Sequence, residues 1–251
     1  MIKCRKEFFI YLVIIKKVKK MNEHVVMLPF SEEWYLWNAI TTFFIVLFII
    51  VSRNAKPHFK NKLAIIMGIS IALEFIFIQY YYVQQGVWTA QDSLPFHLCR
   101  LMWFNSMIVI LTRNQLAFEL LLFVGMIGGL HSMITPEFTH GVDPILMLDY
   151  FLVHGGLIAI PMYCVFVLGM KPRKWAWFKS FLYLQIFVIS IGLIDYLLGA
   201  NYMYLAVKPN VENPFLIGDW PYYIIGLEVA TLLHALLVHI PFYFKNHFLE
   251  E

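Results

Sequence analysis

The chain has 251 residues, 61% of them hydrophobic and only 14% charged. This balance excludes a domain folded around one aqueous core and indicates a polytopic membrane protein. The formal net charge of +3 comes from Lys and Arg clustered between apolar runs, so it reads as basic loops and excludes a nucleic-acid footprint. Zinc spacings, a phosphate loop and a dinucleotide fingerprint are absent from the sequence, and neither a metal nor a cofactor is expected.

The N-terminal extension, 1–33, comes first. Its first 20 residues carry Lys3, Arg5, Lys6, Lys16, Lys17, Lys19 and Lys20 around an apolar run, Phe8 to Ile15, that is too short to span. A basic amphipathic anchor is one reading. The favoured one is a start-site artefact, with translation beginning at Met21, because it removes a conflict with the topology below.

Spans follow at roughly 34–52, 63–83, 95–111, 115–134, 147–169, 178–198 and 221–243, taking about 20 apolar residues as the crossing length. The tail is 244–251. The chain is therefore expected to be an all-α bundle of about seven transmembrane helices, with a single transmembrane domain over 34–243. Arg53, Lys56, Lys60 and Lys62 follow the first span, and Lys171, Arg173, Lys174 and Lys179 follow the fifth. Both loops are expected in the cytoplasm, which places the N-terminus outside and the C-terminus inside. Segments 84–94, 135–146 and 199–220 hold Asp92, Glu137, Asp143, Glu212 and Asp219 and belong outside. No internal repeat suggests a paired inverted transporter.

Ionisable groups within spans are costly and mark a cavity or a pathway. In Leu94-Pro95-Phe96-His97-Leu98-Cys99-Arg100, Pro95 suits the first turn of the third span. Cys99 then lies near a helix N-terminus, where the dipole, Arg100 or a nearby His favours a thiolate. A small buried apolar residue is the bland alternative, and it fits Cys164. His97 points away from Cys99 if both are helical, since successive positions rotate about 100°. His154, roughly two turns or about 10 Å into the fifth span, is the better base. Gly155 and Gly156 permit close approach there, and Tyr150 lies one turn away. His131, Asp195 and Glu228 gather near the same face; Glu74, Glu119, Gln185 and His234 lie elsewhere along the spans. Asn201 could donate to an oxyanion, although turn formation is its commoner use. Three widely spaced cysteines, Cys4, Cys99 and Cys164, form no disulfide framework.

Leu94-Pro95-Phe96-His97-Leu98-Cys99, Thr135-Pro136, His154-Gly155, Asn201-Tyr202-Met203-Tyr204-Leu205 with Lys208-Pro209, and Trp220-Pro221-Tyr222-Tyr223 resemble the YwaF-type bacterial integral membrane proteins, related to the eukaryotic transmembrane protein 164 family. The resemblance runs from Trp34 to Tyr243. It implies a phospholipid acyltransferase using a membrane cysteine, with membrane phospholipids as substrates. Cys99 is then the nucleophile and His154 its base, while His97, Arg100, Tyr150, Asn201, Tyr202 and Glu228 bind substrate or stabilise the oxyanion. A proton-coupled or small-molecule transporter centred on Glu228, Glu74 and His234, and a non-catalytic lipid-binding protein, are the other two readings.

Overall fold

A computed structural model describes residues 24–248. The expectations on residues 1–20, a start at Met21 and Cys4 lie outside the described residues. Seven helices follow in order: α1 Glu32–Arg53, α2 Pro57–Gln85, α3 Leu98–Thr112, α4 Gln115–Ile134, α5 Pro144–Phe166, α6 Ala176–Leu198 and α7 Tyr222–Phe248. Six are long and apolar enough to cross a membrane, and α3, at 15 residues, is a shorter apolar helix. The chain is an all-α polytopic membrane bundle. One small addition to that class is a two-residue antiparallel ladder, β1 Val25–Val26 with β2 Glu137–Phe138.

Local signals explain most boundaries. Ser31 caps α1 by accepting from Trp34 N, and Glu32 and Glu33 occupy the positive end of the dipole. Asp143 caps α5, accepting from the amides of Ile145 and Leu146, with Pro144 in the first turn. This cap starts α5 three residues before the expected 147, so His154 lies roughly three turns in rather than two. Pro95 is not in the first turn of α3. Thr89 and Ser93 bond one another, and Ser93 O accepts from Gln79 Nε2 at 2.8 Å, which holds 89–96 as a folded plug and delays α3 to Leu98. The expected tail is also revised, because α7 continues helically to Phe248.

The central element is α4, whose apolar window is 67% buried against 6% for α1 and 17% for α2, α6 and α7. It packs against α3, α5, α6 and α7, while α1 rests on α5 and α2 on α3. Its middle, Leu121–Gly125, is one π-helical turn, a local widening that recurs at functional sites. Gly155 and Gly156 act as expected: an added Cβ would stand 2.4 Å from Thr41 of α1 or 2.3 Å from the Trp103 ring of α3. Outward faces such as Ile186, Ile189, Leu193 and Leu197 on α6 are exposed, as a lipid-facing surface requires.

A helix ending in or near hydrocarbon must satisfy its last four carbonyls. In α4 each of them has a donor. His131 O accepts from Thr135 N, Ser132 O from the Tyr150 hydroxyl at 2.8 Å, Met133 O from Asn38 Nδ2 at 3.2 Å and Ile134 O from Trp34 Nε1 at 2.9 Å. Loops 86–97, 135–143 and 199–221 meet at this end, joined by Tyr202 and Glu137. The basic loops meet at the other end, where Arg173 embraces Glu119 and Arg113 donates to Asn61.

Segment 24–27 is bonded to this end rather than lying apart as an extension. Its ladder is reinforced by His24 Nδ1 on Glu137 Oε1 at 3.0 Å. The hydrogen bond to Glu137 raises the His24 pKa above 6.5, against a smaller opposing effect of burial. A raised folded-state pKa gives stability that is full below about 6.5 and lost as pH rises through the folded value. Amide exchange protection of Val25 to Met27 should therefore fall between about pH 6 and pH 8 in the wild type. In His24→Ala the protection should be lower and flat across that range.

Candidate functional site

A cavity of about 380 Å³ lies inside the loop-rich end, between α2, the start of α3, α4, α5, α6 and α7. That volume suits a ligand site. One side is polar, with Cys99, Ser132, His154 and Tyr150, and the base is apolar, with Val124, Ile127, Leu184, Val188 and Leu227.

Cys99 is the second residue of α3, and the N-cap His97 makes no side-chain bond to the helix's first amides. Those N–H groups have no carbonyl four residues back, so the sulfur sits beside unspent donors. Cys99 Sγ stands 3.8 Å from Ser132 Oγ. Among the described residues no hydrogen bond joins it directly to His154. Both nonetheless reach the cavity at one level of α4. A Cβ on Gly128 would be 3.8 Å from the sulfur, and one on the next residue, Gly129, would be 2.9 Å from His154 O. Only glycine permits that second approach.

His154 has a defined tautomer. Its Nδ1 is 2.7 Å from Tyr150 O, and a carbonyl can only accept, so Nδ1 carries the hydrogen and Nε2 keeps its lone pair. The Tyr150 ring packs 4.0 Å from the imidazole, centroid to centroid. Its hydroxyl donates to Ser132 O at 2.8 Å and accepts from Glu137 N at 3.4 Å. Tyr150 thus couples the histidine to the serine beside the thiol, which makes it a positioning residue. Loss of the Ser132 hydroxyl should slow thiolate chemistry at Cys99. A Ser132→Ala variant is expected to alkylate with a small lipophilic maleimide about tenfold more slowly than wild type, with Ser132→Thr close to wild type.

Three of the sequence candidates, Arg100, Asn201 and Tyr202, have their polar atoms engaged by other partners. Arg100 lines the cavity, but its Nη1 donates to Glu74 Oε1 at 2.6 Å and its Nη2 to Asp149 Oδ2, while Trp103 Nε1 donates to Glu74 Oε2 at 2.7 Å. This is an ion triad joining α2, α3 and α5, so Arg100 has no charge left for an oxyanion. Asn201 is a loop organiser: its Oδ1 accepts from Ala206 N and Val207 N and its Nδ2 donates to Val207 O. Every polar atom of its amide is engaged, and it does not reach the cavity. Tyr202 is fully buried. Its hydroxyl donates to Ala90 O and accepts from Leu94 N, both at 2.9 Å, so it pins the plug to the 199–205 loop. His97 faces the cavity wall with its ring 5.0 Å from that of Tyr202 and 6.1 Å from that of Tyr204. Glu228 does line the cavity, on α7, with Oε2 accepting from Gln185 Nε2 at 2.7 Å.

Residues thought to lie elsewhere converge here. Glu74 belongs to the triad, Gln185 holds Glu228, and the His234 ring is 4.9 Å from that of His131. Glu119 alone stays at the basic end, with Arg173. Cys164 is 0% exposed in the apolar core, as its sequence context indicated. Sequence reasoning missed Ser132 and Glu137. Ser132 carries no signal beyond its place four residues after Gly128, one helical turn. Glu137 accepts from His24, from the Tyr204 hydroxyl at 3.2 Å and from Asn210 N at 3.3 Å, and so fastens two segments across the cavity mouth. His140, at the same mouth, is held neutral: burial depresses its pKa to about 4.

A family model described as the TMEM164 family matches residues 27–239. Comparison with curated proteins and with solved structures gives no match.

Proposed function

We propose, since the chain belongs to the TMEM164 family, that it is a membrane-embedded, cysteine-dependent phospholipid acyltransferase or transacylase working through an acyl thioester. The observation that carries this reading is the pairing within one cavity of a thiol at a helix start with a histidine whose Nδ1 is committed to Tyr150 O.

In the first half-reaction His154 Nε2 takes the Cys99 proton and the thiolate attacks an ester carbonyl carbon, forming a C–S bond. The carbonyl oxygen, now negative, meets the free amides at the start of α3, donors of the kind worth about 10²–10³ in rate each. The ester C–O bond breaks, and the departing lysolipid oxygen takes the proton from the imidazolium. A second lipid hydroxyl or amine then collects the acyl group. Catalytic hydrogen bonds commonly tighten on substrate binding, and the sulfur–imidazole contact is expected to form there.

A transport pathway would need polar lining to continue through the bundle. Beyond Val124, α4 instead presents Phe118, Leu121 and Phe123, each 0% exposed in the core. By the distribution of Lys and Arg we place the cavity end outside and the C-terminus in the cytoplasm, with phospholipid entering from the outer leaflet; the resemblance to bacterial proteins makes the membrane that of a bacterial cell. Purified protein in liposomes with phospholipid labelled in its acyl chain and unlabelled lysophospholipid tests the reading. It requires label in the acceptor and a hydroxylamine-sensitive adduct on Cys99. Neither product across a broad lipid panel would overturn it.

A further inference from the structure

The cavity has a second polar pole, at its α4–α6–α7 end. His131 on α4 and Glu228 and Thr231 on α7 line it, with Gln185 of α6 behind the carboxylate. Most of their free valences are acceptors, and a neutral His131 ring adds one N–H donor. Gln185 occupies Glu228 Oε2, and Oε1 has no partner among the described residues. The Thr231 hydroxyl donates to Leu227 O at 2.8 Å, so its lone pairs remain to accept. Neither ring nitrogen of His131 makes a hydrogen bond among the described residues; the ring rests against Phe215 at 5.8 Å and His234 at 4.9 Å. These acceptors face the cavity, and a ligand carrying hydrogen-bond donors can engage them.

Charge narrows the ligand further. Arg100 is the only Lys or Arg among the described residues lining the cavity, and Glu74 and Asp149 hold it. A phosphate therefore finds no free cation inside. His131, Glu228 and Thr231 line the same cavity as Cys99 and Ser132, so this pole and the proposed thioester open on one space.

Resting on the acyltransferase reading, we infer that this pole is the acyl-acceptor subsite and that it takes a lipid hydroxyl without recognising a phosphate. The attacking O–H gives its one proton to His131, and any further donor on the acceptor lies against Glu228 and Thr231. The oxygen attacks the thioester carbon, a C–O bond forms as the C–S bond breaks, and the sulfur recovers the proton from the imidazolium. Cys99 and His154 serve the first half-reaction, and the second pole serves the second.

The test separates the halves. Protein in liposomes is first incubated with acyl-labelled phospholipid, and the adduct on Cys99 is followed. Monoacylglycerol or lysophospholipid is then added, and loss of adduct is timed for wild type, Glu228→Gln, His131→Gln and Thr231→Val. The variants should form adduct at the wild-type rate and consume it about tenfold or more slowly, with Thr231→Val covering the event that a charge change misfolds α7. In the wild type, monoacylglycerol should discharge the adduct within about tenfold of the lysophospholipid rate. Unchanged consumption, equal slowing of both halves, or discharge by phosphate-bearing acceptors only would overturn the subsite and leave the enzyme standing. Absence of adduct in the wild type would overturn the parent reading and this one with it.

Discussion

Replacing Cys99 by serine should abolish acyl transfer, lowering turnover by at least about 10³-fold, while the protein remains inserted and folded. The reasons are chemical and local. A serine hydroxyl is a far weaker nucleophile than a thiolate, and among the described residues the group behind His154 Nδ1 is the Tyr150 carbonyl and not a carboxylate. The exchange of sulfur for oxygen disturbs little else, because among the described residues the thiol's hydrogen-bond neighbour is Ser132 Oγ at 3.8 Å. His154→Ala should cost about 10²–10⁴-fold by removal of the base. Tyr150→Phe should cost less: the backbone carbonyl that fixes the imidazole remains, and only the bond to Ser132 O is lost. Initial rates of transfer in liposomes, normalised to folded protein, check all three. Residual transfer above about a tenth of wild type in Cys99→Ser would exclude a thioester on this residue.

Arg100→Met should be the most damaging substitution for stability, by about 3–5 kcal/mol, because it leaves two carboxylates unpaired away from water. Glu74 would retain Trp103 Nε1, and Asp149 would lose its guanidinium partner. Arg100→Lys should rescue only partly, since a single ammonium cannot reproduce the fork that reaches α2 and α5 together. The triple exchange of Glu74, Arg100 and Asp149 for apolar residues of similar volume should recover most of the loss, as replacement of a whole buried ion cluster commonly does. Unfolding midpoints in detergent give the measurement. An Arg100→Met protein as stable as wild type would mean that the triad holds nothing together.

The sequence by itself determined the class and the order of the helices. Apolar runs of spanning length are set by the bilayer, which acts on each segment separately, so α1, α2, α4, α6 and α7 are legible as segments, though not to their last residues. The basic loops are equally local, and Arg173 and Arg113 do share one end. Cys99 and His154 stand out in the sequence as candidates, because ionisable and nucleophilic groups contrast with hydrocarbon wherever they occur, and both line the cavity.

The tertiary structure decided what such groups face. Arg100 looks like an anion binder in sequence, but Glu74 and Asp149 lie 26 and 49 positions away along the chain, and their approach depends on how α2, α3 and α5 pack. Asn201 and Tyr202 fall in a motif-like stretch, yet their atoms close loops instead of a catalytic pocket. Ser132 is silent in sequence and stands beside the thiol because α4 packs against α3, while Gly129 lets the same helix approach α5 closely. Hydropathy is a property of single segments, whereas a site is a property of side chains from several segments meeting. The lateral order of helices that brings them together is not written in any one of them.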